Sequence, residues 1–239
     1  MTASLSRLIL LATLGNLASC ARPAPTPAPV LSAASSAGLQ GKAASTPADQ
    51  GAAGTARGVL APLASDALIV LPLQALRLTV ADWTSAVGDE RAYRGAVDDE
   101  FAFAVRERAF KGKWAFPEEL ARSARRNPGY APDPYTIALD PLAPVERDPD
   151  KIIGEPLAGQ LRAFAGLFNA RYALVPVELR VVPDAGGGGR ATVHLVVVDT
   201  RAAKITWKGD VSGDVARSFS PAIAAGLAGR VADLFTSAR

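Results

Sequence analysis

The 239-residue chain has one cysteine, Cys20, and one histidine, His194. A lone cysteine forms no internal disulfide, and zinc sites built from Cys and His are excluded. A Ser-His-Asp arrangement would have to use His194, and there is no Gly-x-Ser-x-Gly elbow to go with it. Phosphate loops, dinucleotide fingerprints and EF-hand patterns are missing, as is any internal repeat. The formal charge is only +3, and Arg7 near the amino terminus supplies one unit of it. Acids and bases are interspersed, without the concentrated basic face that nucleic acid requires. These absences favour binding or assembly over catalysis, with no cofactor, no metal and no nucleic-acid partner.

What is present starts at the amino terminus. Arg7 is a positive n-region, and Leu8 to Leu14 form a short apolar run broken by Gly15 and Asn16. A membrane-spanning helix needs about 20 apolar residues, so residues 1–19 read as a signal peptide. The segment ends in Leu17-Ala18-Ser19-Cys20, which resembles the bacterial lipobox. That resemblance implies a lipid on the Cys20 sulfur and attachment to a membrane. The competing reading is an ordinary signal peptide with Cys20 as an incidental thiol. Ala21 stands where an aspartate would resemble an inner-membrane retention signal, so a Gram-negative host would place the chain on the periplasmic side of the outer membrane.

From Ala21 to Gly58 the chain is mostly Ala, Pro, Ser, Gly and Thr. Such a composition buries too little surface to offset its ordering entropy. Residues 20–58 therefore read as a lipidated cysteine and a tether, with a coil span of roughly 35 Å. Residues 59–239 are long enough for one domain with its own core.

Within that domain Ala67–Leu73 is continuously apolar and interrupted by Pro72, as a buried strand would be. A helix is expected over 96–110, with Asp98, Asp99 and Glu100 in its first turn. Trp114–Pro117 suggests a short strand and Glu118–Arg126 a short helix. A Pro-rich insertion occupies about 125–150, and three prolines and a glycine argue against regular structure over 127–135. Arg125, Arg126, Tyr130 and Tyr135 in this stretch make a candidate partner-binding surface, since Arg and Tyr are frequent binding anchors. The alternative is a loop whose tyrosines pack over a sheet edge.

The remainder reads as a helix from Pro156, a strand 172–182 with Pro176 marking an edge or bulge, and a hairpin turn at Asp184–Gly189. Strands 191–200 and 204–211 follow, the latter with Ile205, Trp207 and Val211 on one dry face. A last helix is capped by Ser220 with Pro221 at its first position. His194 reads as a packed or half-exposed strand residue. The expected fold class is α+β, a two-layer sandwich. It has a mixed sheet of about four to five strands, a C-terminal antiparallel meander, and helices on one face.

Val198-Asp199-Thr200-Arg201 followed by Ile205-Thr206-Trp207, together with the lipobox and tether, resembles a group of envelope lipoproteins. The group includes the curli secretion channel protein CsgG and the TolB amino-terminal domain. The resemblance implies a protein partner or homo-oligomer in the periplasm; the chain lacks the extended amphipathic strand pair of a channel. Two alternatives are carried: a carboxylate-dependent cell-wall glycan hydrolase using Asp99, Asp133 or Glu178, and a purely structural envelope lipoprotein.

Overall fold

The computed structural model describes residues 58–148 and 150–236. The expected signal peptide, Cys20 and nearly all of the expected tether lie outside the described residues. The remainder is an α+β fold built on one mixed sheet of six strands, one more than expected.

The strands are β1 (Leu68–Val70), β2 (Ala75–Leu78), β3 (Trp114–Ala115), β4 (Tyr172–Pro183), β5 (Gly189–Asp199) and β6 (Lys204–Ala216). Their order is β3-β1-β4-β5-β6, and β2 also pairs with β4. Strands β1 and β2 run parallel to β4, whereas β4, β5 and β6 form the expected antiparallel meander. The long strand β4 thus serves two short partners in turn. Its first half pairs with β1, and its second half, beyond a bulge between Pro176 and Glu178, pairs with β2.

That bulge answers the question Pro176 posed. The residue lies in the middle of the sheet, where a strand that cannot donate at one position is accommodated by an irregularity. The bulge also changes which side chains face which core. Before it, Leu174 joins the first core and Ala173 and Val175 the second; after it, Leu179 and Val181 join the first.

The two cores occupy opposite faces of the sheet. On one, α2 (Glu90–Glu107) and α6 (Ala222–Asp233) pack on Leu68, Val70, Val193, Leu195 and Val197. On the other, α3 (Pro117–Arg126), α4 (Leu142–Arg147) and α5 (Leu157–Leu167) pack on Ile69, Leu71, Val196 and Val198. Helices therefore cover both faces rather than one. The sequence carries this in β1 and in the end of β5, where consecutive residues are all buried, as in strands covered on two sides.

Three local expectations are corrected. Helix α2 starts at Glu90, because Asp89 accepts the Arg91 and Ala92 N–H groups and caps it. Asp98, Asp99 and Glu100 therefore lie in mid-helix rather than in its first turn. A further short helix, α1 (Ala81–Val87), precedes it. In β6 a register shift at Thr206 sends Ile205 to the second core and Trp207 and Val211 to the first, so the three do not share one dry face. Helix α6 begins at Ala222 with Pro221, not Ser220, in the cap position.

The Pro-rich stretch is more regular than expected. Asp133 accepts the Tyr135 N–H and starts a single 3-10 turn at Pro134–Thr136. Helix α4 then pins the segment to the sheet through buried Leu142 and Val145. Proline at the first position of a helical turn carries no cost, since that N–H has no partner anyway.

Candidate functional site

The polar end of the second face carries the densest charged cluster among the described residues. The β5–β6 register sets His194 opposite Asp210, and the β4–β5 register sets it opposite Glu178. Helix α4 brings Glu146 over them. His194 Nδ1 lies 2.6 Å from Asp210 Oδ1, and His194 Nε2 lies 2.6 Å from Glu146 Oε1. Arg180 Nη2 reaches Asp210 Oδ2 at 2.7 Å, Arg77 reaches Glu178 at 3.0 Å, and Lys208 Nζ donates to the Glu146 carbonyl. The cluster lines a cleft of about 480 Å³.

Chemically this arrangement is a clasp. Each ring nitrogen of His194 faces a carboxylate oxygen, so neither is left over to take a proton from a nucleophile. Both contacts hold at once only while two hydrogens lie between the ring and its carboxylate partners. Ionic contacts thus join buried Leu142 and Val145 in holding α4 to the sheet, and charges already matched line the cleft beside them. Of this cluster the sequence pointed to His194 and, as a candidate acid, Glu178. It missed Glu146, Arg180 and Asp210, because the Thr206 bulge must be known before Asp210 can be set opposite His194.

The candidate binding residues divide into two groups. Arg126 joins Glu119, Arg122, Ser123 and Phe168 around a groove of about 260 Å³ between α3 and the end of α5. Tyr130, 59% exposed, lies with its hydroxyl over Gly166 of α5, where a Cβ would come within 2.9 Å of it. Arg125 is exposed in the last turn of α3 beside Arg126. Tyr135 has different company: Asp98, Asp99, Asp133 and Glu118 act on its hydroxyl. Partial burial first, and then these carboxylates, push its pKa above the ordinary tyrosine value.

The acids weighed for glycan hydrolysis sit on different elements, and two of them, Asp99 and Asp133, both act on the Tyr135 hydroxyl. Glu178 is on β4 in ion pairs with Arg77 and Arg180, Asp99 is on α2, and Asp133 caps the 3-10 turn. The carboxyl whose pKa is raised is one the sequence named only within the acidic triplet of α2. Asp98 on α2 is buried, accepts the Leu73 N–H at 2.8 Å through Oδ1, and has no protein hydrogen-bond partner at Oδ2. Desolvation above all pushes its pKa up to about 7; Leu73 N–H and Arg94 oppose the shift and Asp99 adds to it.

The Val198–Arg201 phrase turns out to be a folded corner. Asp199 accepts the Arg201 and Ala202 N–H groups, and Thr200 donates its N–H and its hydroxyl to the Arg171 carbonyl. Aspartate and threonine are required there by hydrogen bonding of the turn itself.

No protein-family model matches the chain, and no curated protein sequence matches it. Among solved structures the chain is similar to the LpoB C-terminal domain from Escherichia coli. The identity is 11%, over 65% of this chain and 95% of that one, and the TM-score is 0.33. It is similar to the PelC dodecamer from Paraburkholderia phytofirmans at 12% identity, over 77% and 96% of the two chains, with a TM-score of 0.37. Lipoprotein GNA1162 from Neisseria meningitidis matches at 12% identity, over 65% and 85%, with a TM-score of 0.30.

Proposed function

We propose that the chain is a lipid-anchored cell-envelope protein, held through Cys20 to the periplasmic side of the outer membrane, that binds or assembles protein without catalysing a reaction. The observation that carries the non-catalytic part is the engagement of His194, the chain's sole histidine, by carboxylates at both ring nitrogens. The anchoring part rests on Leu17-Ala18-Ser19-Cys20 and the Ala/Pro/Ser segment after it. The likeness to the curli-channel and TolB group rests on that lipobox and tether and on Val198–Arg201 followed by Ile205-Thr206-Trp207.

The binding face in this reading is the end of α3 and α5, with Arg125, Arg126 and Tyr130; Tyr135 stands apart from it. Exposed arginine and tyrosine beside a groove are the residue types that dominate binding energy at interfaces. The test is the native mass, by light scattering, of the lipidated protein extracted from envelopes in mild detergent. A stoichiometric partner or defined oligomer is expected, and its loss in Arg126→Ala/Tyr130→Ala at unchanged thermal stability. A bare monomer, or an assembly indifferent to the double variant, would rule the reading out.

A further inference from the structure

The contacts at His194 hold one hydrogen more than a neutral ring supplies. A neutral imidazole has a single N–H, and an ionised carboxylate has none. Yet both ring nitrogens lie 2.6 Å from a carboxylate oxygen, Nδ1 from Asp210 and Nε2 from Glu146. Two hydrogens fill the two contacts. With only one, a nitrogen lone pair faces a carboxylate oxygen and the pair repel.

Every element packed against the half-buried ring brings charge to it. Helix α4 supplies Glu146, and β6 supplies Asp210 and Lys208, whose ammonium donates to the Glu146 carbonyl. Strand β4 supplies Glu178, opposite the ring in the ladder, and Arg180, which bonds Asp210. Behind Glu178 stands Arg77 of β2. The acids Glu146, Glu178 and Asp210 thus face the bases Arg77, Arg180 and Lys208, so net charge does not select the state of the ring. The count of hydrogens does.

The two contacts are not equally firm. Asp210 sits opposite His194 in the β5–β6 ladder and also accepts from Arg180. Glu146 belongs to a helix of six residues, whose other holds are buried Leu142 and Val145 and the Lys208 bond. A helix this short depends on its tertiary contacts. Loss of a hydrogen therefore releases Glu146 rather than Asp210. Helix α4 then loosens over the cleft of which Glu146 is one wall.

We propose that His194 and Glu146 form a proton-dependent latch, which fastens α4 to the meander while two hydrogens bridge Glu146, His194 and Asp210 and loosens it when one of them leaves. Histidine is the side chain that ordinarily changes charge between about pH 5 and 8. Helix α4 is therefore fastened on the acid side of that range and loosened on the alkaline side. A mildly acid surrounding keeps the cleft walled, and an alkaline one opens it. The latch lies apart from the Arg126–Tyr130 face and does not depend on that face binding anything.

The experiment follows hydrogen exchange of the full chain between about pH 5.5 and 8.5, a range that spans ordinary histidine titration. Protection over Leu142–Arg147 is expressed against the exchange rate of unstructured chain at each pH, and Val193–Val198 on β5 reports opening of the whole fold in the same sample. In the parent, protection of α4 is expected to fall about fivefold toward the alkaline end, the change that a partly exposed ion pair at the top of its range produces. Glu146→Gln is the discriminating variant, because its amide brings its own hydrogen to a neutral ring. Its α4 should stay protected across the range, while every other titrating group, Asp98 included, is retained. The imidazole nitrogen NMR shifts of the sole histidine should titrate in step with the parent's α4. A parent whose α4 protection does not change with pH overturns the proposal. So does an equal fall in Glu146→Gln, or a ring whose state stays constant while α4 loosens, since either puts the titrating group elsewhere.

Discussion

Arg171 sets both Nε and Nη2, at 2.9 and 2.7 Å, on a single oxygen of Asp199, leaving the other oxygen to the Arg201 and Ala202 N–H groups. The ion pair therefore ties the start of β4 to the corner that reverses the chain into β6. Asp199 is buried, and its side chain is 8% exposed while that of Arg171 is 55% exposed. Burial would raise the Asp199 pKa, but the Arg171 hydrogen bonds and the two N–H donors together hold it below the ordinary carboxylate value.

Removing the buried partner should therefore cost more than removing the exposed one. Asp199→Ala leaves two N–H groups of the corner without an acceptor and is expected to lower unfolding free energy by about 2 kcal/mol. Arg171→Ala should cost less, because water can replace an exposed guanidinium. Asp199 releases its proton more readily when folded. Its contribution is present above the ordinary carboxylate range and is lost as pH falls through the lowered folded value. Urea unfolding of the parent and both variants at neutral and acid pH checks this; equal losses in the two variants would contradict it.

Asp98 acts in the other direction. Its folded pKa, pushed up to about 7, lies above that of the unfolded chain, near 4. The folded protein keeps a proton that the unfolded chain has released. The stability this supplies is complete below the unfolded value and is lost as pH rises through the folded one. The slope reaches at most about 1.4 kcal/mol per pH unit between those values. Asp98→Asn retains an oxygen for the Leu73 N–H but does not titrate, so the slope should flatten, with the variant the more stable at pH 8. Parallel pH–stability curves for parent and variant would refute the assignment.

The legible and illegible parts of this fold separate along one physical line. Elements with a strong period or a strong punctuation were readable: α5, the β4–β5 hairpin at Asp184–Gly189, and, as an edge or a bulge, the irregularity at Pro176. Short elements with a local cap but little period were not, among them α1, α4 and the start of α2 at Asp89. The charged cluster was hidden for a different reason. Its members come from α4, β2, β4, β5 and β6, and the Thr206 bulge shifts the β5–β6 register by one residue. Without that shift His194 would face Gly209 instead of Asp210. The Arg125–Tyr135 candidates lie in two different settings. Proximity in sequence grouped Tyr135 with the arginines, whereas the Asp133 cap turns it toward acids.

The His194 clasp predicts a local rather than a global effect. Helix α4 has only six residues, too few to persist without tertiary support. His194→Ala removes the donor that Glu146 and Asp210 share and leaves their charges facing one cleft. Hydrogen exchange over Leu142–Arg147 should then accelerate, while overall stability falls by no more than about 1 kcal/mol, since all three side chains are partly exposed. Unchanged exchange in α4 would mean that Leu142 and Val145 hold the helix alone.

The glycine run between β4 and β5 separates a turn from a ligand loop. Asp184 accepts the Gly187 N–H at its carbonyl and the Gly186 N–H at its carboxylate, closing the hairpin on itself. Gly188 has φ +84°, and a Cβ there would come within 2.1 Å of the Ala216 carbonyl oxygen on β6. Gly186 has no such φ, and its nearest neighbour would be the Asp184 side chain at 3.5 Å. Gly188→Ala is therefore expected to destabilise the fold by about 1–2 kcal/mol from the left-handed backbone alone, with the carbonyl clash adding to it. Gly186→Ala should be close to neutral. Thermal melts of the two variants decide the matter: a loop kept glycine-rich for a ligand would show little stability difference between them, whereas a hairpin built on the approach of β6 makes Gly188 costly and Gly186 replaceable.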